Sequence, residues 1–213
     1  MILITGAKGF IGSSLLTFLG KRGYDVEGIN EEILDIEKLR PHFKNAEFVV
    51  HLAAKLSPEQ TEQRPHDFFQ VNVAGTMNVV KLCIEYGCKL INTSSITTNT
   101  EYGISKVLSE EMVRLYVKHQ GLRAVTIRPC IIYDENGGSR YPYISKHYPL
   151  GKLVEDIENI IIHDNFRKYK VYTVGGLGQK IYFEEIDLLK KKIKLKFHLI
   201  KEKAKKIIKD YKG

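Results

Sequence analysis

Thr5-Gly6-Ala7-Lys8-Gly9-Phe10-Ile11-Gly12 follows the apolar run Ile2-Leu3-Ile4, and Ile11, Leu15, Leu16 and Leu19 follow at helical spacing. The order is strand, glycine-rich turn, helix. Gly6 permits the tight turn, Gly9 lets backbone N–H groups approach a ligand without an intervening Cβ, and Gly12 lets the helix pack closely on the strand. A turn of this kind at a helix N-terminus suits the pyrophosphate of a dinucleotide. Three glycines at this spacing are common on their own, so the weight comes from the strand before them and the helix after.

The same alternation continues along the chain. Strands are expected at Ile2–Thr5, Val26–Asn30, Glu47–Leu52, Lys89–Thr93 and Ala124–Ile127, and helices at 10–22, 37–44, 66–86 and 103–119. Alternating strands and helices argue for an α/β fold, a parallel sheet covered on both faces. After Arg128-Pro129 the rhythm breaks. Tyr133–Gly151 reads as loops, Ile157–His163 and Lys170–Val174 as short strands, and the segment from Leu189 as an amphipathic helix. That last helix is read as a cover for this protein's own core, with a membrane-surface or partner-binding face as the alternative.

The chain has 213 residues and fits one domain with a small appendage. Its formal net charge of +8 invites a nucleic-acid reading, yet residues 187–213 alone carry 11 Lys against Asp187, Glu202 and Asp210. The body is therefore neutral, and no nucleic-acid partner is expected. Cys83, Cys88 and Cys130 form no Cys-x-x-Cys pair and lie in apolar contexts, which reads as reduced core thiols, with no metal site expected. No apolar run reaches a membrane span and the first strand begins at once, so a cytoplasmic location is expected.

Tyr102-Gly103-Ile104-Ser105-Lys106 places a phenol and an ammonium one helical turn apart. A tyrosine titrates near pH 10 when unperturbed, and a neighbouring cation favours its phenolate, which brings proton exchange with an alcohol within reach. Asn92-Thr93-Ser94-Ser95, at the end of the fourth strand, would present hydroxyls at the same sheet edge.

Together with His51-Leu52-Ala53-Ala54, Val71-Asn72-Val73-Ala74-Gly75-Thr76 and Arg128-Pro129, these motifs fall in an order that resembles the extended short-chain dehydrogenases. More narrowly, the chain resembles the NAD-dependent epimerase/dehydratase family that modifies nucleotide sugars. The match covers residues 1–135. It implies a Rossmann-type doubly wound parallel sheet over 1–135, with a reduced substrate-binding appendage over 136–213 that ends in the Lys-rich amphipathic helix.

The resemblance further implies that Tyr102 is the acid/base, that Lys106 tunes it and binds the nicotinamide ribose, and that Ser95, before Ser94, bonds the reacting sugar oxygen. Cofactor contacts are implied at Gly6, Lys8, Gly9, Phe10, Ile11, Gly12, Asn30, Asp35, Ile36, Leu52, Ala53, Ala54, Asn72, Thr93, Tyr102, Lys106 and Pro129. Asp35 and Ile36 would meet the adenine, and Asn72 would support the catalytic helix from a neighbouring one. His51 closes a buried strand and is expected to be structural. A homodimer paired through the Tyr/Lys helix and its neighbour is implied by analogy.

Departures from the family pattern carry information. The acidic residue expected at the end of the second strand is Asn30, and Lys8 lies in the glycine turn, which slightly favours NADP(H) over NAD(H), although Glu31 and Glu32 stand next door. Ile96-Thr97 replaces the Asp-Glu pair of the sugar dehydratases, which argues against 4,6-dehydration. The short spacing from Ser95 to Tyr102 resembles the 4-keto-sugar reductases, so 4-keto reduction or epimerisation of a nucleotide-linked sugar is expected. Ile131 occupies a position where the family often has a substrate-binding Asn. Arg140, Lys146 and Arg167 read as surface charges before diphosphate ligands. The alternative is a cofactor-binding redox sensor or a relative without catalysis.

Overall fold

The computed structural model describes residues 1–56, 65–96, 100–133, 147–163 and 166–175. The Lys-rich tail, Arg140, Lys146 and the appendage beyond Gly175 lie outside the described residues. Six strands form one sheet: β1 (Ile2–Thr5), β2 (Val26–Ile29), β3 (Phe48–His51), β4 (Lys89–Thr93), β5 (Arg123–Pro129) and β8 (Val171–Val174). Their spatial order is β2-β1-β3-β4-β5-β8 and every pairing is parallel. Two short strands, β6 (Ile131–Tyr133) and β7 (His147–Pro149), pair beside it.

The central strands β1 and β3 are buried along their whole length, as strands covered on both faces must be. On one face α1 (Phe10–Lys21) and α6 (Leu150–His163) pack Leu15, Leu19, Leu153, Val154 and Ile157 onto Ile2, Ile4 and Val50. On the other, α2 (Ile36–Phe43), α4 (Thr76–Tyr86) and α5 (Glu101–Gln120) pack Leu39, Phe43, Val79, Leu82 and Val113 onto Leu3, Val49 and Leu90. Short α3 (Pro65–Phe69) runs through a π-helical segment, Gln70–Gly75, into α4. The three cysteines are buried free thiols. Among the described residues no helix is long and apolar enough to cross a membrane.

Two expectations are corrected. Ile157–His163 belongs to helix α6, not to a strand. The β-branched run Ile160-Ile161-Ile162 suggests a strand when read locally, but Leu153, Val154, Ile157, Ile160 and Ile161 form a helical stripe that fills the groove beside α1. His147–Pro149, expected within loops, forms β7 by pairing with β6.

From β1 the chain crosses to β2 on one side and then to β3 on the other, so the strand order reverses between β1 and β3. The crevice outside the carboxyl ends of these strands is where open α/β sheets bind ligands. The glycine turn, the residues after β3 and the end of β4 all open onto it.

Candidate active site

The turn after β1 is shaped by backbone contact. Gly6 has φ 72°, and a Cβ there would lie 2.7 Å from the Ala53 nitrogen, while one at Gly12 would lie 2.3 Å from the Gly6 carbonyl. Side chains at either position would push β1, α1 and the post-β3 loop apart. Gly9 is the N-cap of α1 and supplies no side-chain cap, and the first turn holds no acidic residue. The orphan N–H groups of α1 and its positive dipole end are left for an anion. Lys8 and Asn30 meet here, with the Lys8 N–H donating to Asn30 Oδ1 at 2.7 Å and the Asn30 N–H donating to Glu31 Oε2 at 3.0 Å. Phe10 is exposed and Ile11 partly buried. Asp35 caps α2 by accepting the Lys38 N–H at 3.2 Å and pairs with the Lys38 ammonium at 3.3 Å, which holds its carboxyl below the usual range. Ile36 begins that helix.

A directional hydrogen-bond chain links this turn to the helix bearing Tyr102. Thr5 Oγ1 accepts the Ala53 N–H at 3.3 Å and lies 2.7 Å from His51 Nδ1, while His51 Nε2 lies 3.0 Å from Thr76 Oγ1. Thr76 donates its only hydroxyl proton to the Asn72 carbonyl at 2.6 Å. His51 Nε2 must therefore carry the ring proton, and Nδ1 accepts from Thr5. The ring is fully buried and close to the Lys106 charge, and these two causes, burial first, push its pKa down to about 3. His51 is thus a neutral linker, as its strand position suggested.

Asn72 carries the chain onward from the widened turn that holds it. Its Oδ1 accepts the Lys55 N–H at 2.8 Å, and its Nδ2 donates to the Lys55 carbonyl at 3.0 Å and to Ser105 Oγ at 2.9 Å. Ser105 in turn donates to the Tyr102 carbonyl at 2.7 Å. One amide thereby fixes both the loop that continues Leu52, Ala53 and Ala54 and the first turn of α5.

Helix α5 starts at Thr100, whose hydroxyl accepts the Gly103 N–H at 3.0 Å, and Glu101 favours the same end through the helix dipole. The Tyr102 ring packs edge-on to Phe68 of α3, centroids 6.4 Å apart. One turn on, Lys106 is 2% exposed. Burial pushes its pKa down to about 8, opposed by the charge of Glu110. Among the described residues no hydrogen bond or ion pair ends on its ammonium. Ser94 Oγ donates to the Lys106 carbonyl at 3.4 Å, and both Ser94 and Ser95 are buried at the end of β4 against this turn. Thr93 Oγ1 is a buried hydroxyl without a partner.

The glycine turn follows β1, Leu52, Ala53 and Ala54 follow β3, Thr93 ends β4, Pro129 ends β5, and Tyr102 and Lys106 stand on the first turns of α5. Sequence reasoning assigned no role to Thr5, Thr76, Ser105, Glu110 or Arg128. Glu110 had a readable signal, since it lies four residues beyond Lys106 on the same helical face. Arg167 is exposed and Ile131 opens β6.

The described residues fit a nicotinamide dinucleotide: a helix N-terminus without an acid, two glycines whose Cβ atoms would collide with the turn and, among the described residues, a partnerless buried hydroxyl and a buried ammonium without an acceptor. The sequence model of the NAD dependent epimerase/dehydratase family matches residues 2–159. A UDP-glucose 4-epimerase of Vibrio cholerae is 30% identical, covering 77% of this chain and 63% of that protein. A GDP-6-deoxy-D-talose 4-dehydrogenase of Aggregatibacter actinomycetemcomitans is 32% identical, covering 57% of this chain and 44% of its own length. The chain thus spans less than two thirds of both relatives. Among solved structures, RMD from Pseudomonas aeruginosa, complexed with NADPH, superposes with a TM-score of 0.66 at 16% identity, covering 82% of this chain and 77% of that one.

Proposed function

The chain belongs to the NAD dependent epimerase/dehydratase family, and on that premise we propose that it is a nicotinamide-dependent oxidoreductase acting at C4 of a nucleotide-linked sugar, as a 4-keto reductase or 4-epimerase. The observation that carries this reading is the placement of Tyr102 and a buried Lys106, whose ammonium has no hydrogen bond among the described residues, on the first turns of α5 beside the hydroxyls that end β4.

The cofactor, when bound, supplies the hydride. Tyr102 gives up or takes the proton of the sugar hydroxyl, and the Lys106 cation stabilises its phenolate. Ser95 orients the sugar oxygen. Ser94 is the weaker choice because its hydroxyl is spent on the Lys106 carbonyl. Lys106 would also bind the nicotinamide ribose, Thr93 and Pro129 would flank the ring, and Asp35 and Ile36 would meet the adenine. Residues 1–135 would hold the cofactor and 136–213 the sugar, with β8 completing the sheet and α6 covering one face of it.

The names of the two relatives support both readings, since a 4-dehydrogenase run backwards is a 4-keto reductase. NADP(H) is the favoured cofactor, from Asn30 at the end of β2 and Lys8 in the glycine turn after β1. The exposed Ile104, Leu108 and Leu115 on α5 and Ile84 on α4 support a homodimer through these helices, and a cytoplasmic location accords with small-molecule chemistry.

Replacing Tyr102 by Phe tests the assignment. Turnover of UDP-, GDP- or dTDP-linked sugars should fall about 10²-fold or more with cofactor binding intact, because general acid/base groups contribute about 10²–10⁴. Unchanged turnover removes the catalytic role.

A further inference from the structure

Lys106 is a cation enclosed almost completely by protein. Burial alone drives such a group towards its neutral form. Charged and titratable side chains approach it from few directions. On its own helix these are Tyr102 and Glu110, and on β3 the neutral His51; Arg128 at the end of β5 reaches Glu110, Tyr169 leans on α5 through a hydroxyl 3.3 Å from the Glu110 carbonyl, and α3, which packs on α5, carries His66 and Asp67. The end of β4 and the π-helical segment contribute the uncharged Asn92, Thr93, Ser94, Ser95 and Asn72, all buried. Among the described residues, Glu110 is the anion whose charge acts on Lys106.

Glu110 is itself buried and held. Arg128 Nε donates to its Oε2 at 2.8 Å and Arg128 Nη2 donates to its Oε1, a two-pronged pair that ties the third turn of α5 to the end of β5. Tyr169, whose own phenol is raised by burial, joins Thr126 Oγ1 at 2.8 Å and the Glu110 backbone. A forked pair of this kind fixes rotation as well as distance. Because Glu110 follows Lys106 by four residues, fixing one sets the face on which the other stands.

We propose that Glu110 is a positioning residue of this site: anchored on Arg128, its carboxylate fixes α5 against the sheet and keeps the buried Lys106 charged for the nicotinamide ribose that the preceding reading assigns to it. Buried ion pairs seldom add net stability over apolar packing. A buried anion one turn from a buried ammonium has another use, since it favours the protonated form of that ammonium against the cost of burial.

The test follows Lys106 directly in cofactor-free protein, by NMR titration of the lysine side chains with Lys106→Met to assign the signal. In Glu110→Gln the Lys106 midpoint should fall by about one pH unit or more, the usual effect of losing a close opposite charge. Should that variant fail to fold because Arg128 loses its Glu110 partner, the double variant Glu110→Gln/Arg128→Gln removes both charges and should show a smaller fall in the same direction, since losing the Arg128 cation favours the ammonium. NADH and NADPH affinities, measured by nucleotide fluorescence, should weaken about tenfold at pH 8 and little at pH 6 in the folded variant. An unmoved Lys106 midpoint in whichever variant folds overturns the proposal, even if Lys106→Met loses cofactor binding. A midpoint that falls, with Lys106→Met binding both nucleotides like wild type, instead overturns the function assigned to Lys106.

Discussion

Asn72 donates its side-chain amide to Ser105 Oγ across 2.9 Å, and by this contact the π-helical segment holds the turn that presents Tyr102. The same amide closes a two-way bond with the Lys55 backbone. Asn72→Ala would leave the Lys55 N–H and carbonyl and the Ser105 hydroxyl short of partners. Stability should fall by about 1–3 kcal/mol, the penalty of an unsatisfied buried group. Turnover should fall further than cofactor affinity, since the loop after β3 and the helix lose their common brace. Denaturant melts and paired kinetic and binding titrations would show it, and equal losses in kcat and affinity would deny the bracing role.

Much of this is legible in the sequence. Strands at Ile2–Thr5 and Lys89–Thr93 show themselves as short apolar runs between turn signals, and Asn72 and Tyr102 to Lys106 are local motifs whose order carries the family resemblance. Two kinds of feature were not legible. Ile157–His163 misleads because its β-branched run reads as strand locally, and only the stripe reaching back to Leu153, packed on α1, selects helix. The Thr5, His51, Thr76 and Asn72 chain joins residues up to 46 positions apart between direct partners, so no local pattern announces it. Single threonines also carry too little identity to stand out.

His51 makes the protein acid-sensitive. Its pKa is pushed down to about 3 in the fold against 6.5 for a free imidazole. A base with a depressed folded value contributes stability that is complete above pH 6.5 and is lost as pH falls towards 3, because the unfolded chain binds the proton first. At pH 5 the loss should approach about 2 kcal/mol, with one pH unit worth about 1.4 kcal/mol. His51→Gln should be less stable at pH 7 yet show a shallower decline between pH 6.5 and 4. Urea unfolding across that range decides it, and parallel slopes would exclude His51 as the source.

Lys106 carries the opposite cost. Its folded value of about 8 lies below the ordinary lysine value of 10.5, so the burial penalty is fully present below pH 8 and is relieved as pH rises to 10.5. Lys106→Met should therefore stabilise the cofactor-free protein at pH 7, by about 1–3 kcal/mol, and flatten its stability between pH 8 and 10.5. The same variant should lose turnover. A methionine variant no more stable than wild type would mean that the ammonium reaches water.

Cofactor choice turns on Asn30, whose Oδ1 accepts the Lys8 N–H at 2.7 Å beside the glycine turn. An aspartate can keep that bond through one oxygen while placing a negative charge where the adenosine ribose would lie. Asn30→Asp should then weaken NADPH about tenfold, equivalent to about 1.4 kcal/mol of repulsion against the 2′-phosphate, and leave NADH binding unchanged or tighter. Lys8→Ala should weaken NADPH alone by removing a cation from the same edge. The Glu31 carboxylate, folded back onto the Asn30 N–H at 3.0 Å, is the competing influence, since it already brings one negative charge to the end of β2. Wild-type binding of NADH at least tenfold tighter than NADPH would show that Glu31 dominates and would reverse the assignment.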